Sequence, residues 1–157
     1  MALATTLATC LSSKNSHFDI IRHPYALGSM ATAQAAHVPG DRLVKTVLLE
    51  DESGYVAAVM PSTRWLDLDQ LCECTGRRLT MASEDEVREV FKDCELGAIP
   101  PVGMAYGMQT WLDDSLLGQP EVYFQAGDHE ELIHMRMANF LELMEGARQA
   151  HFTRRMM

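Results

Sequence analysis

Two apolar runs, Leu43–Leu49 and Tyr55–Met60, flank the acidic turn Glu50-Asp51-Glu52-Ser53-Gly54. Runs of this length, made of Leu, Val and Thr and broken by turn residues, read as two strands of a β-hairpin with a longer loop. Lys45 interrupts the first strand. Strand side chains alternate, so Lys45 shares a face with Leu43, Val47 and Leu49. One reading has its stem covering apolar surface while the ammonium reaches water. The other sets a cation in a pocket wall, where it holds an anion or a polar leaving group.

Around the hairpin, strands and helices mix. Phe18–Arg22 reads as a strand stopped by His23-Pro24, and Ser29 reads as the cap of a helix over Met30–His37. Asp67 caps a helix over Leu68–Cys74 that stops at Gly76. Arg77–Met81 is a short strand. Ser83-Glu84-Asp85-Glu86 is a capping box opening a helix to about Phe91. Strands follow at Tyr106–Leu112, Glu121–Gln125 and Glu130–Met135. A final helix covers Met137–Arg148, with Phe140, Leu141 and Met144 as its apolar stripe. Several strands follow each other without an intervening helix, which predicts an α+β fold with a mixed sheet.

The 157 residues suffice for one domain. We read 1–17 as a loose N-terminal leader and 18–157 as that domain. Apolar residues are 47% and charged residues 22%, which excludes collagen, coiled coil and wholesale disorder. The uncharged, apolar-leaning stretch Met1–Ser13 is too short and too rich in Ala and Thr to span a bilayer, so no membrane partner is expected. The formal charge of −9 argues against a general binder of long duplexes, which is ordinarily basic. Cys10, Cys72, Cys74 and Cys94 form no C-x2-C pair and read as free thiols of a cytoplasmic protein.

Gly97-Ala98-Ile99-Pro100-Pro101-Val102-Gly103 is the second candidate for chemistry. Two prolines stiffen the loop, and its glycines let backbone approach a ligand. Such a loop can offer N–H donors to a carbonyl or oxyanion, and equally it can be a surface turn. It lacks the Lys-Ser/Thr ending of a nucleotide P-loop. His129, after Gly127-Asp128, is the third candidate; a solvated turn histidine is its ordinary alternative. A metal site built from His129, His134 and acidic neighbours is a weaker possibility. No G-x-S-x-G elbow is present.

Taken in order, these motifs resemble the YbaK/prolyl-tRNA-synthetase-associated editing domains, a family of aminoacyl-tRNA deacylases. The residues that carry the resemblance are His23-Pro24, Ala33–Val38 before Pro39, Lys45-Thr46, Gly97-x-x-x-Pro101-x-Gly103, Gly127-x-His129 and the Phe140-bearing helix. It implies a mixed, barrel-like β-sheet flanked by helices. It also implies hydrolysis of the ester joining a wrong amino acid to a tRNA 3′ end, with no cofactor or metal. By the same resemblance Lys45, Gly97 and His129 are catalytic. His23, Thr46, Ala98, Ile99, Pro100, Pro101, Gly103, Gly127 and Asp128 bind substrate. The histidine at 129 points to a small, non-thiol amino acid such as alanine, carried on tRNA(Pro). A non-catalytic module that binds a small ligand or a protein is the alternative. The partner expected is a tRNA acceptor end, bound weakly and salt-sensitively, with prolyl-tRNA synthetase as a further candidate. The segment from Lys14 to Lys45, locally +2, is the face expected to meet it.

Overall fold

A computed structural model of the chain describes residues 3–156. The hairpin forms as expected: β2 (Leu43–Asp51) and β3 (Gly54–Pro61) pair antiparallel from Val44↔Pro61 to Asp51↔Gly54. Val56 to Met60 of β3 are wholly buried, because both faces of this strand are covered. Val59 enters one core with Val44, Leu112, Phe124 and Phe140. Ala58 and Met60 enter another with Leu49, Leu71, Trp111 and Phe152.

The hairpin is the middle of an eight-stranded mixed sheet. Its other members are β1 (Asp19–Arg22), β5 (Thr80–Met81), β6 (Gln109–Asp113), β7 (Glu121–Gln125), β8 (Glu131–Arg136) and β9 (Arg148–Ala150). The order is β1-β8-β7-β2-β3-β6-β9, and β5 pairs with β2 off that path. A two-stranded ribbon joins β4 (Arg64–Leu66) to β10 (Thr153–Arg155). Among the described residues five α-helices flank the sheet, so the α+β reading holds.

Within the loose leader expected at 1–17, of which residues 1 and 2 lie outside the described residues, the chain forms helix α1 (Thr5–Ser13). Leu7 and Leu11, one turn apart, are buried in the first core, and the Ala4 amide donates to the Ala126 carbonyl at 2.9 Å. The Ala-Thr composition hid a helix whose apolar stripe is only two leucines wide. Helix α2 (Ser29–Ala36) is preceded by Gly28 at φ +88°, so Gly28 and not Ser29 holds the cap position. Helix α3 (Leu68–Thr75) is capped by Asp67, which accepts from the Gln70 amide, and ends at left-handed Gly76. Helix α4 (Glu84–Val90) has the full Ser83/Glu86 capping box.

The carboxyl end departs most from expectation. Helix α5 (Met137–Leu143) stops well before Arg148, and Gly146 turns the chain at φ +96°. Its buried face is Met137, Phe140, Leu143 and Met144, while Leu141 points outward. The chain then forms β9 and β10, secured by Asp113. One Asp113 oxygen accepts from the Phe152 amide at 2.8 Å, and the other accepts from the Thr153 hydroxyl at 2.8 Å.

Candidate active site

The sheet itself leaves an opening. One edge of β2 pairs with β7 at Leu43 and Val44 and with β5 at Leu49 and Glu50. Between those ladders no described strand covers Lys45–Leu48. A cleft of about 330 Å³ fills the gap, floored by Val44 to Leu48 and walled by Ser29, Ala82, Val87, Leu96, Gly97, Ile99 and Gln125. Lys45 and the Gly97 loop therefore meet across one cavity, and Thr46 lines it too.

Lys45 is half-buried and makes no ion pair or hydrogen bond with any described residue. Burial pushes its ammonium below the usual lysine range. A desolvated, unpaired cation beside open space is poised for an anionic or strongly polar ligand.

The loop is rigid for reasons legible in its bonds. Gly97 has φ +85°, a conformation that disfavours any side chain. The Glu95 amide donates to the Gly127 carbonyl at 2.7 Å, and the His129 amide donates to the Glu95 carboxylate at 3.2 Å. His129 Nε2 lies 2.8 Å from the Leu96 carbonyl, so this nitrogen carries the proton and donates it. The Ala98 amide is spent on the Glu95 carbonyl at 3.1 Å. That leaves the Gly97 and Ile99 amides without a protein acceptor.

His129 thus stands behind the loop rather than in the cleft. It is 3% exposed, Tyr25 packs edge-on against its ring at 5.4 Å, and Nδ1 has no protein partner. A Cβ on Gly97 would lie 3.4 Å from His129 Cε1, so imidazole and glycine are in contact.

The remaining expected substrate-binding residues split. Ile99 lines the cleft; Ala98, Pro100, Pro101 and Gly103 are buried in the packing behind it. Gly103 sits where a Cβ would come 2.7 Å from the Ala57 methyl, which is a packing reason for glycine. Gly127, at φ +111°, is packed against Ala4 of the N-terminal segment. Asp128 accepts from the Glu130 and Glu131 amides at 3.0 and 2.9 Å and so holds the turn. His23 is buried beside it, with its amide on the Glu130 carbonyl and Nδ1 on the Pro24 carbonyl. None of these four borders the cavity.

Gln125 was not singled out by sequence. Val44 and Phe124 share one face and Leu43 and Tyr123 the other, so Lys45 and Gln125 continue the second pair side by side. Gln125 is 6% exposed, lines the cleft, and its Oε1 is buried without a partner. Only its place as the polar last residue of β7 could have flagged it.

A metal centre built on His129 and His134 does not assemble. The His134 ring bonds Glu121 and Asp19 at the β1–β8–β7 ladders, whereas His129 bonds the Leu96 carbonyl. The group with suitably close donors among the described residues is Asp113, Asp114 and His151. Asp113 there is already engaged by the Phe152 and Ser115 amides and the Ser115 and Thr153 hydroxyls.

An α+β domain whose interrupted sheet opens beside a glycine-proline loop defines a recognisable class. The aminoacyl-tRNA editing domain model matches residues 23–143, and the chain belongs to that family. No match was found among curated protein sequences. Among solved structures, a proposed trans-editing enzyme for prolyl-tRNA synthetase superposes with TM-score 0.84 at 27% identity, covering 96% of each chain. A scaffold used for computational epitope grafting gives TM-score 0.84 at 24% identity, covering 98% of this chain and 97% of the other. A hypothetical protein, APE2540, gives TM-score 0.84 at 21% identity over 95% of this chain and 99% of its own.

Proposed function

We propose that the chain is a free-standing deacylase that hydrolyses the ester of mischarged tRNA, with a small amino acid such as alanine on tRNA(Pro) as substrate. The observation that carries this reading is the meeting of Lys45 and the Gly97 loop across one cleft between β7 and β5. Family membership and the likeness to a proposed prolyl-tRNA synthetase trans-editing enzyme support it.

An aminoacyl ester is already activated, so a site can succeed by positioning and carbonyl polarisation. Water adds to the ester carbonyl, the C–O bond to the ribose breaks, and the ribose oxygen takes up a proton. The free Gly97 and Ile99 amides are the donors available to the developing oxyanion, each worth about 3–4 kcal/mol in such roles. Lys45 holds the negative charge of the terminal nucleotide. His129 acts as a positioning residue: it fixes the Leu96 carbonyl and hence the direction of the Gly97 amide. The proton that the attacking water loses is taken by the solvent or by the ribose 2′-OH network rather than by the buried imidazole. Gln125, beside Lys45, offers an acceptor to the substrate's amino group. The cleft's modest volume excludes longer side chains, although one methylene is worth only about 1–3 kcal/mol. The activity belongs in the cytoplasm; no helix among the described residues is long and apolar enough to cross a membrane.

The test is a panel of mischarged tRNAs incubated with wild type and Lys45→Ala. Rapid release of a small amino acid from tRNA(Pro) by wild type, and none above background by the variant, is expected. Equal release by both proteins removes Lys45 from the mechanism. No release from any member of the panel leaves the non-catalytic binding module as the reading.

A further inference from the structure

The cations that the sequence groups before β2 are largely occupied. Arg22 pairs with Glu131, Arg42 pairs with Glu121 and bonds Gln119, and Lys14 donates to the Glu142 carbonyl. That segment therefore leaves Lys14, bonded only to a neutral carbonyl, and Lys45 as its cations without a carboxylate partner among the described residues.

Elsewhere, six arginines have no carboxylate partner among the described residues: Arg78, Arg136 and Arg148 stand apart, and Arg64, Arg154 and Arg155 fall together. The last three lie on the β4–β10 ribbon, where Arg155 stands opposite Arg64 and Arg154 opposite Trp65. Like charges opposed across a ladder destabilise it, so this arrangement is held against an electrostatic cost. Arg64 is fixed by Thr153, with Nε on the hydroxyl at 2.6 Å and Nη2 on the carbonyl at 3.4 Å. Arg64 and Arg155 line a polar cavity of about 410 Å³ with Asp41, Thr63, Ser115 and Gln119, where the Asp41 carboxylate accepts from the Thr63 hydroxyl and leaves the two guanidiniums in excess. Arg154 lies 6.0 Å over the ring of Trp65, which is 48% exposed. The ribbon carries three positive and no negative side chains, while the other residues of this −9 chain sum to −12.

The ribbon is continuous with the catalytic cleft. Ser29 borders that cleft, and Met30 follows it. A Cβ on Gly40 would lie 3.6 Å from Met30 Cε and 2.7 Å from Thr63 Cγ2, so Met30, Gly40 and Thr63 form one ridge. Thr63 is already a wall of the arginine cavity.

We propose that the β4–β10 ribbon is a second RNA-binding surface, taking the phosphate backbone of the acceptor arm whose 3′ end occupies the cleft. Guanidinium pairs in a concave polar site suit phosphate oxygens, and an exposed tryptophan beside them gives a base or ribose something to pack on. The inference rests on the tRNA reading of the cleft, and it explains how an acidic chain holds a polyanion: by setting three unpaired arginines together on one ribbon.

The experiment measures binding of uncharged full-length tRNA by fluorescence anisotropy, over about 50–200 mM salt. It compares wild type, Arg154→Ala/Arg155→Ala and Arg154→Lys/Arg155→Lys. Each lost phosphate contact removes about 0.7–0.9 from the slope of log affinity against log salt. The alanine pair is expected to flatten the slope by one to two such steps and weaken binding about tenfold. The lysine pair is expected to keep the slope. Hydrolysis of a short, single-stranded, CCA-ended aminoacyl oligonucleotide is expected to be unchanged in both. An unaltered slope in the alanine pair overturns the proposal, as does an equal loss on the short substrate. Competition by polyglutamate as strong as by tRNA would mark an acidic-protein surface and also overturn it. Arginine-dependent tRNA binding by a wild type that hydrolyses nothing leaves the ribbon standing and removes the deacylase. Hydrolysis with an indifferent slope does the reverse.

Discussion

On the proposed function, Lys45 is a side chain held against the interest of stability. Its ammonium is desolvated without a partner, so the folded state carries a charge it would hold more cheaply in water. Replacing it by Met keeps the stem's packing and removes that charge. Lys45→Met is expected to abolish deacylation while raising the melting temperature by roughly 1–3 °C, read by parallel activity and thermal-melt measurements. A variant that loses activity and also melts lower would mean that the lysine is structural. His129 makes the complementary case. Its Nε2–H is committed to the Leu96 carbonyl, so removing the ring loosens the loop rather than deleting a base. His129→Ala is expected to lower kcat roughly 100-fold, the scale of a misplaced reacting group. The shape of the pH–rate profile should stay as in wild type; disappearance of a limb near neutral pH would show that the imidazole titrates in the reaction.

Among the elements, α1 couples the N-terminal segment to the site. Ala4 packs on Gly127, the Thr6 amide donates to Asp93 at 2.7 Å, and Leu7 is completely buried. Asp93 and Gly127 bracket the two loops that meet at His129. Leu7→Ala is expected to cost about 2–5 kcal/mol of stability in a denaturant titration, and to reduce activity through the loop. A cost below 1 kcal/mol would return α1 to the loose leader. The helices with strong local chemistry were legible: Asp67 and Gly76 bound α3, and Ser83 with Glu86 opens α4. The hairpin was legible from its apolar runs. What escaped depends on distant partners. β9 and β10 are three residues each, and Asp113, some 40 positions earlier, secures the link between them by accepting from the Phe152 amide and the Thr153 hydroxyl. Of the site, Lys45, Thr46, Gly97 and Ile99 could be read from sequence. The placement of His129 behind the loop, and of Gln125 in front, required knowing which strand lies beside β2.

Across the whole molecule the acidic balance makes pH a probe of how the distant turns are tied. Arg77 grips Asp51 with Nε at 2.8 Å and Nη2 at 2.6 Å, and reaches the Gly54 carbonyl at 3.1 Å. The guanidinium and neighbouring amides hold the Asp51 carboxyl at about 2, well below the usual carboxylate range. A depressed acid contributes stability that is complete above its unfolded value, about 4, and is lost as pH falls through its folded value. Acidifying from pH 7 to 4 should therefore leave this tie intact while other carboxylates begin to neutralise. Between about pH 4 and pH 2 the tie dissolves, while the protein, already a net cation below its pI of about 5.0, gains further positive charge and repels itself. Asp51→Asn is expected to melt lower than wild type at pH 7, with the gap closing across that acid window. Thermal melts at pH 7, 4 and 2 check it. A gap that persists undiminished at pH 2 would mean that the asparagine disrupts the turn by shape, and that the charge of Asp51 is incidental to how β2, β3 and the exit of α3 are held together.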